Sequence, residues 1–218
     1  MIRILLAHNN APIPNSRWQY WLSLVPQPLH HAIFRYKRWQ DQQAALLGKL
    51  LVRQGLLAEN HTEYPLKNWQ VTPYGKPRVA EDIYFNISHT QGLVVCAMSR
   101  QGEVGIDCEQ IRSIELTDFK SMMKPAVWET IMTAQDKEKA FFNDWTQRES
   151  VLKADGRGLS IPLEALTIDN NQATLCTPDT PQKEQSWHIF PVDVGAGYCC
   201  HLATSVQNPV LTLTMLNE

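Results

Sequence analysis

The sequence predicts an α+β fold of two lobes, related by a pseudo-twofold internal duplication, with the active site in the cleft between them. Three observations carry that expectation. Apolar residues recur at helical spacing in two long segments, 41–57 and 138–154, which start about 100 residues apart. Short apolar runs that read as strands flank each of these segments. In addition, Gly92-Leu-Val-Val-Cys-Ala-Met resembles Gly197-Tyr-Cys-Cys-His-Leu-Ala at nearly the same separation. Matching order with matching offset favours a duplicated unit, and a duplication leaves a cleft where a ligand can sit. The expected lobes are residues 1–103 and 104–218.

Taken in order, residues 2–7 open the chain as a strand and are followed by a polar, proline-rich stretch containing Trp18 and Trp21. In the helix over 41–57, Ala44, Leu47 and Leu51 share a stripe with Ala45, Leu46 and Leu50 beside it, and Gly55 is an end signal. Residues 72–77 carry Pro73, Gly75 and Pro77, which is turn chemistry. Strands are expected over 83–87, 93–99 and 103–109. The helix over 138–154 sets Phe141, Phe142, Trp145 and Leu152 on one side, and Gly156 and Gly158 end it. Strands over 187–192, 198–204 and 210–216 complete the chain.

Composition excludes several classes. The 218 residues are 44% apolar, enough for a real core and against disorder. Lys and Arg total 20 against 22 Asp and Glu, so the basic excess of a nucleic-acid-coating protein is missing. The longest apolar run, Leu93 to Met98, falls far short of the roughly 20 residues a spanning helix needs. No secretory leader is recognised at the start. The five cysteines (Cys96, Cys108, Cys176, Cys199, Cys200) have neither disulfide-framework nor zinc spacing, so they read as free thiols of a reducing cytoplasm.

Four local patterns could carry chemistry. In Gly105-Ile106-Asp107-Cys108-Glu109, strand alternation puts Asp107 and Glu109 on one face and Ile106 and Cys108 on the core face. Paired carboxylates either bridge a cation such as Mg²⁺ or line a solvated acidic edge. In the helix, Trp145, Glu149 and Leu152 stand at i, i+4 and i+7, which draws a costly carboxylate onto an apolar stripe. Lys153 follows one turn on, so Glu149 either pairs with it or completes the Asp107–Glu109 site. Tyr74-Gly75-Lys76-Pro77 and Phe85-Asn86-Ile87-Ser88-His89 put Lys76, Ser88 and His89 beside turns and strand ends, where they could hold an anion or serve the structure. Ser88 lacks the nucleophile elbow of a hydrolase, and Walker and dinucleotide fingerprints are missing. Arg35, Lys37 and Arg38, interleaved with Phe34, Tyr36 and Trp39, make a small basic cluster.

Gly75-Lys76-Pro77, Phe85-Asn-Ile-Ser88-His89, Gly105-Ile-Asp107-Cys-Glu109 and the run 145–159 (WTQRESVLKADGRGL) follow one another in an order that resembles the phosphopantetheinyl transferase superfamily. Length and the two-lobed repeat resemble its long type, which activates surfactin synthetase; the likeness covers residues 1 to about 204. The resemblance implies that coenzyme A is the co-substrate and that Mg²⁺, or Mn²⁺ on the same oxygen ligands, is held by Asp107, Glu109 and Glu149. It implies transfer of the 4′-phosphopantetheine arm to a serine of an acyl or peptidyl carrier protein, with release of 3′,5′-adenosine bisphosphate. Glu149 would be the general base; Lys153, Lys76 and His89 would counter pyrophosphate charge; Gly75, Pro77 and Ser88 would help bind coenzyme A. A cytoplasmic monomer, free of nucleic acid and membrane, is expected.

Three departures from the family pattern stand out. Arg148 stands where lysine is usual, and Ala44 and Ala45 occupy a region where an arginine often holds the 3′-phosphate, a task that Arg35 or Arg38 would then take. Lys124-Pro125 replaces the usual helix start, with Pro125 suited to the first helical position. The surrounding Met-rich segment 116–132 is the expected carrier-docking surface, with Met122 and Met123 on it. Two rival readings are a Mg²⁺-dependent coenzyme A pyrophosphate hydrolase and a carrier-binding module without catalysis.

Overall fold

The computed structural model describes residues 1–60, 65–80, 82–176 and 185–217. They divide into two compact units, Met1–Gln101 with Pro209–Glu218, and Gly102–Asn208. The first holds β1 (Ile2–Asn9), α1 (Asn15–Ser23), α2 (His30–Phe34), α3 (Trp39–Ala58), a small hairpin of β2 (Gln70–Val71) and β3 (Pro77–Arg78), then β4 (Tyr84–Thr90) and β5 (Gly92–Ser99). The second holds β6 (Val104–Gln110), α4 (Pro125–Thr133), α5 (Lys137–Asp155), β7 (Leu166–Asp169), β8 (Gln172–Leu175), β9 (Gln185–Pro191) and β10 (Tyr198–Thr204). The chain then returns to the first unit, where β11 (Leu211–Met215) runs parallel to β1 with Ile2 opposite Leu211. Sequence reading had left that last strand in the C-terminal lobe and put the boundary two residues later, because pairing with β1 has no local signal.

The two sheets share a plan. In the first the order is β11-β1-β5-β4, and in the second β6-β10-β9-β8-β7. Thus β1, β5 and β4 correspond to β6, β10 and β9, antiparallel throughout, with one long helix, α3 or α5, packed on each trio. The likeness between residues 92–98 and 197–203 falls on the central strands β5 and β10. Gly92 (φ 82°) and Gly197 (φ 84°) each turn the chain into that strand in the left-handed region that glycine enters without strain. Both central strands are buried along nearly their whole length.

Packing follows the helical stripes. Leu47, Leu50 and Leu51 of α3 meet Leu5, Phe85, Cys96 and Met98 from the sheet. Each leucine removed from water contributes about 1.5–3 kcal/mol. Helix α5 is covered on more than one side. Its C-terminal half, with Val151 and Leu152, packs on Ile189 and Ala203, whereas Phe141 and Phe142 near its start pack on Leu116, Ile131 and Cys199. Asp136 caps α5, its Oδ1 accepting from the Lys139 N–H at 2.9 Å, and Gly156 (φ 94°) ends it as expected. The proline-rich stretch carries α1, entered from Pro14, whose half-buried Trp18 and Trp21 pack against the core around α3. Its helical spacing is short and mixed with polar residues, which hid it.

One contact fixes how near α5 lies to its sheet. A Cβ on Gly105 of β6 would stand 2.1 Å from the Ser150 carbonyl oxygen and 2.2 Å from the Ala154 nitrogen, both backbone atoms that cannot swing aside. Gly105→Ala is therefore expected to cost at least about 3 kcal/mol, read as a lower urea midpoint. Gly55→Ala, whose added methyl presses on the flexible thioether end of Met98 and meets Leu5 Cδ1 at an ordinary 3.4 Å, serves as the milder control.

Candidate functional site

Because β6 and α5 touch at Gly105, the same face of β6 carries Asp107 and Glu109 towards the helix. Ile106 and Cys108 are fully buried on the opposite face, as alternation requires. Asp107 is itself buried, at 4% exposure, which rules out the solvated acidic edge that the pair alone allowed. Lys153 of α5 reaches across and donates from Nζ to Asp107 Oδ1 at 2.6 Å. The alternative of a simple helical pair between Glu149 and Lys153 gives way to this cross-element ion pair.

Glu149 sits one turn before Lys153, half-buried. Its carboxyl is pushed above the ordinary range first by burial, which Lys153 opposes and the neighbouring carboxylates Asp107 and Glu109 reinforce. Burial alone would lower the Lys153 ammonium; Asp107, by charge and hydrogen bond, outweighs it and raises it. So the three carboxylates named from sequence act on one another within one unit, with one lysine among them. Among the described residues no three such side chains close into a metal cage. An open set of carboxylates that repel one another is what Mg²⁺ uses when substrate phosphates supply further oxygens. The donor type, carboxylate oxygen, is the one that ion takes.

Behind Asp107, sequence reading missed His201 of β10, which stands opposite Asp107 in the strand register. Thr146 Oγ1 donates to the Phe142 carbonyl at 2.7 Å, so at 2.8 Å His201 Nδ1 is the partner that donates to Thr146. Burial pushes His201 down to about 4, with Asp107 opposing, and keeps the ring neutral near pH 7. The cue was in the sequence, since His201 lies in the repeat of Gly92–Met98, but a histidine within an apolar strand has no distinctive signature.

The departure at Arg148 has a structural cause. This buried guanidinium forks onto Asp144, Nε to Oδ2 at 2.7 Å and Nη2 to Oδ1 at 3.0 Å, and its Nη1 faces the Leu163 and Leu166 carbonyls. A lysine could not make that fork. Arg148 thus ties α5 to the start of β7.

The first unit supplies the remaining candidates. Lys76 is buried at the end of a turn in which Thr72 Oγ1 accepts from its backbone N–H at 3.0 Å, and Gly75 takes φ 89°. Pro77 opens β3, which packs beside β4. On β4 Ser88 is buried and His89 is exposed. Ala44 belongs to the core. One turn on, however, Lys49 is buried at 8% exposure, donates to the Ala45 carbonyl at 3.3 Å and lies 5.6 Å from the Trp69 ring centre. Burial, then the nearby Arg35 charge, pushes Lys49 down to about 8. Sequence reading had Arg35 but not Lys49.

Around α4, Lys124-Pro125 forms the helix start that the sequence suggested, with Pro125 at its first position. Met122 is 38% exposed, but Met123 is buried beside Leu116 and Ile131, so only Met122 belongs to a surface. No helix among the described residues is long and apolar enough to cross a membrane.

Comparison with known proteins agrees with the motifs. Residues 103–203 match the family model of the 4′-phosphopantetheinyl transferase superfamily, and residues 11–101 match that of the 4′-phosphopantetheinyl transferase N-terminal region. The chain is 32% identical to the 4′-phosphopantetheinyl transferase gsp of Aneurinibacillus migulanus, over 100% of this chain and 93% of that one. It is 26% identical to the 4′-phosphopantetheinyl transferase Sfp of Bacillus subtilis, over 90% and 89%. It is also 30% identical to the human L-aminoadipate-semialdehyde dehydrogenase-phosphopantetheinyl transferase, over 60% and 48%. The chain belongs to the 4′-phosphopantetheinyl transferase superfamily. Within it the chain is of the long Sfp type, an enzyme that transfers phosphopantetheine from coenzyme A to carrier proteins.

Lys49 allows a test by pH. Its folded-state value of about 8 lies below the ordinary 10.5, so below pH 8 the folded state bears the full cost of the buried charge. Between pH 8 and 10.5 the folded state releases the proton that the unfolded chain keeps, and stability rises. Lys49→Met is expected to be more stable than wild type by about 1–3 kcal/mol at neutral pH. That advantage should shrink towards pH 10.5 in parallel urea titrations.

Proposed function

We propose that Asp107, Glu109 and Glu149 hold Mg²⁺ against the pyrophosphate of coenzyme A, and that Glu149 accepts the proton of the attacking carrier serine. The observation that carries this reading is the cluster where α5 meets β6: Lys153 bound to Asp107, with Glu149 one turn away under the charge of both other carboxylates. When bound, Mg²⁺ supplies neutralisation of pyrophosphate charge, with Mn²⁺ open to the same oxygen ligands. Glu149 takes the hydroxyl proton, directly or through water, as the serine oxygen bonds to the β-phosphorus. The bond from that phosphorus to the bridging oxygen breaks, and 3′,5′-adenosine bisphosphate leaves. Lys153 holds Asp107 in place and offers its charge to the developing negative oxygens. Lys76 and His89 of the first unit serve the same electrostatic purpose, and Gly75, Pro77 and Ser88 shape the turn and strand that present them.

Arg35 and Lys49 take the 3′-phosphate. Two cations held close enough for one to depress the other form a site that a dianion relieves, and this supports the assignment over Ala44 and Ala45. The carrier docks at the segment around α4 through Met122. We also read the protein as a cytoplasmic monomer; that all five cysteines are free and four of them buried supports a reducing compartment.

Intact-mass measurement of apo carriers incubated with the enzyme, coenzyme A and Mg²⁺ tests the reaction. One phosphopantetheine arm should be gained by at least one acyl or peptidyl carrier, and Glu149→Gln should slow that gain by about 10²–10⁴. Coenzyme A cleaved with every carrier unchanged would replace this reading with a pyrophosphate hydrolase. Carrier bound with neither change would replace it with a binding module. For the 3′-phosphate, Arg35→Ala is expected to weaken coenzyme A binding by about tenfold, the loss of one charge-assisted hydrogen bond. It should leave dephospho-coenzyme A, which lacks that phosphate, unaffected; equal losses on both would overturn the assignment.

A further inference from the structure

The first unit contains a cavity whose described lining includes none of the residues given a catalytic or binding role above. Its origin is topological. Helix α3 packs on β1, β4 and β5, but edge strand β11 extends the sheet beyond the helix. The faces of Thr214 and Leu216 are left open there beside Leu5 of β1, and α1 closes the other side with Tyr20 and Trp21. The volume of this open cavity is about 440 Å³, within the range of small-molecule sites. Leu50 and Leu57 of α3 complete an apolar floor.

The polar groups of this cavity are cationic. Arg3 and Arg53 line it, with no acidic side chain among the described lining residues. Arg3 gives Nη2 to Glu59 at 3.2 Å, but Glu59 also serves Arg100 at 3.1 Å, so its charge is shared. Arg3 Nε is buried without a hydrogen-bond partner, as is Oγ1 of Thr212, which lies opposite Arg3 in the parallel register. Half-buried Arg53 has no carboxylate within ion-pair reach among the described residues. Buried donors without partners are rare in native proteins and mark places where a further acceptor belongs.

We propose that this cavity binds a small amphiphilic anion, with a carboxylate head on Arg53 and the outer guanidinium of Arg3 and an unbranched apolar tail over Leu50 and Leu57. The guanidinium fork matches a carboxylate in geometry and charge, and the floor offers the tail nothing but hydrocarbon. The site is separate from the transfer chemistry and does not depend on it.

Calorimetric titration of the full chain with octanoate, without coenzyme A or carrier, tests the proposal, with tryptophan fluorescence reporting on Trp21. Saturable binding of one octanoate per chain is expected, with none for octylamine, whose head is cationic, and much weaker binding for propionate, which lacks the tail. Arg53→Gln should weaken octanoate by about tenfold or more. Arg53 makes no ion pair among the described residues, so this variant is expected to fold, as circular dichroism would show. Leu57→Gln, at the half-buried floor, gives an independent test of the tail. Absence of saturable octanoate binding at millimolar concentration, equal binding of octylamine, or unchanged affinity in both variants would overturn the site. Since neither Arg53 nor Leu57 has a part in transfer, a negative result here leaves carrier modification intact and separates the two readings.

Discussion

The close approach of α5 to β6 at Gly105 is the constraint on which the carboxylate cluster depends. With no side chain between them, the helix backbone rests directly on the strand. The amine of Lys153 can then reach Asp107, two residues along β6, and Glu149 comes under the influence of both carboxylates of that strand. A methyl group at position 105 would lift the helix and dissolve that geometry before any charged residue was altered. The behaviour of the carboxylates is therefore set by packing density at a residue that does no chemistry.

A single plan used twice has been put to two electrostatic purposes. The trio β1, β5 and β4 with α3, and the trio β6, β10 and β9 with α5, have the same strand order and directions. The helix of the first unit buries a cation, Lys49, near another cation, Arg35. The helix of the second half-buries an anion, Glu149, near two more. Each arrangement carries a cost in folding free energy, because like charges approach one another away from water. A ligand of opposite sign would offset each cost: an anion for the first, a cation for the second. Proteins hold such locally unfavourable groups at working sites and offset them with apolar packing elsewhere, here the cores around α3 and α5.

Arg148 and His201 show the supporting layer. Neither touches the place where chemistry would occur, yet one fixes α5 to the start of β7 and the other fills the register position behind Asp107 through Thr146. The Arg148 guanidinium and His201 Nδ1 find their partners inside the unit, which stiffens the strand and helix that carry the carboxylates. The arginine at position 148 is thus held by local hydrogen bonds to Asp144 that a lysine could not make.

What the sequence determined by itself was everything with a local cause. Helical spacing located α3 and α5 to within a few residues, and alternation in 105–109 put Asp107 and Glu109 on one face. Glycine and proline marked the ends of α5 and the start of α4. The order of short motifs carried the family, because each motif is a local requirement of one chemistry. Tertiary structure alone decided whatever needed a distant partner. It brought β11 back to β1, because strand pairing is satisfied by backbone groups that no side chain announces. Lys153 could as well have paired with Glu149 along the helix as with Asp107; only the helix-to-strand distance chose Asp107. Met123 turned inward while its neighbour Met122 stayed outside, and Lys49 was drawn into the core beside Arg35. Burial is a property of what folds over a residue, and for these positions the covering segments lie far away in the chain.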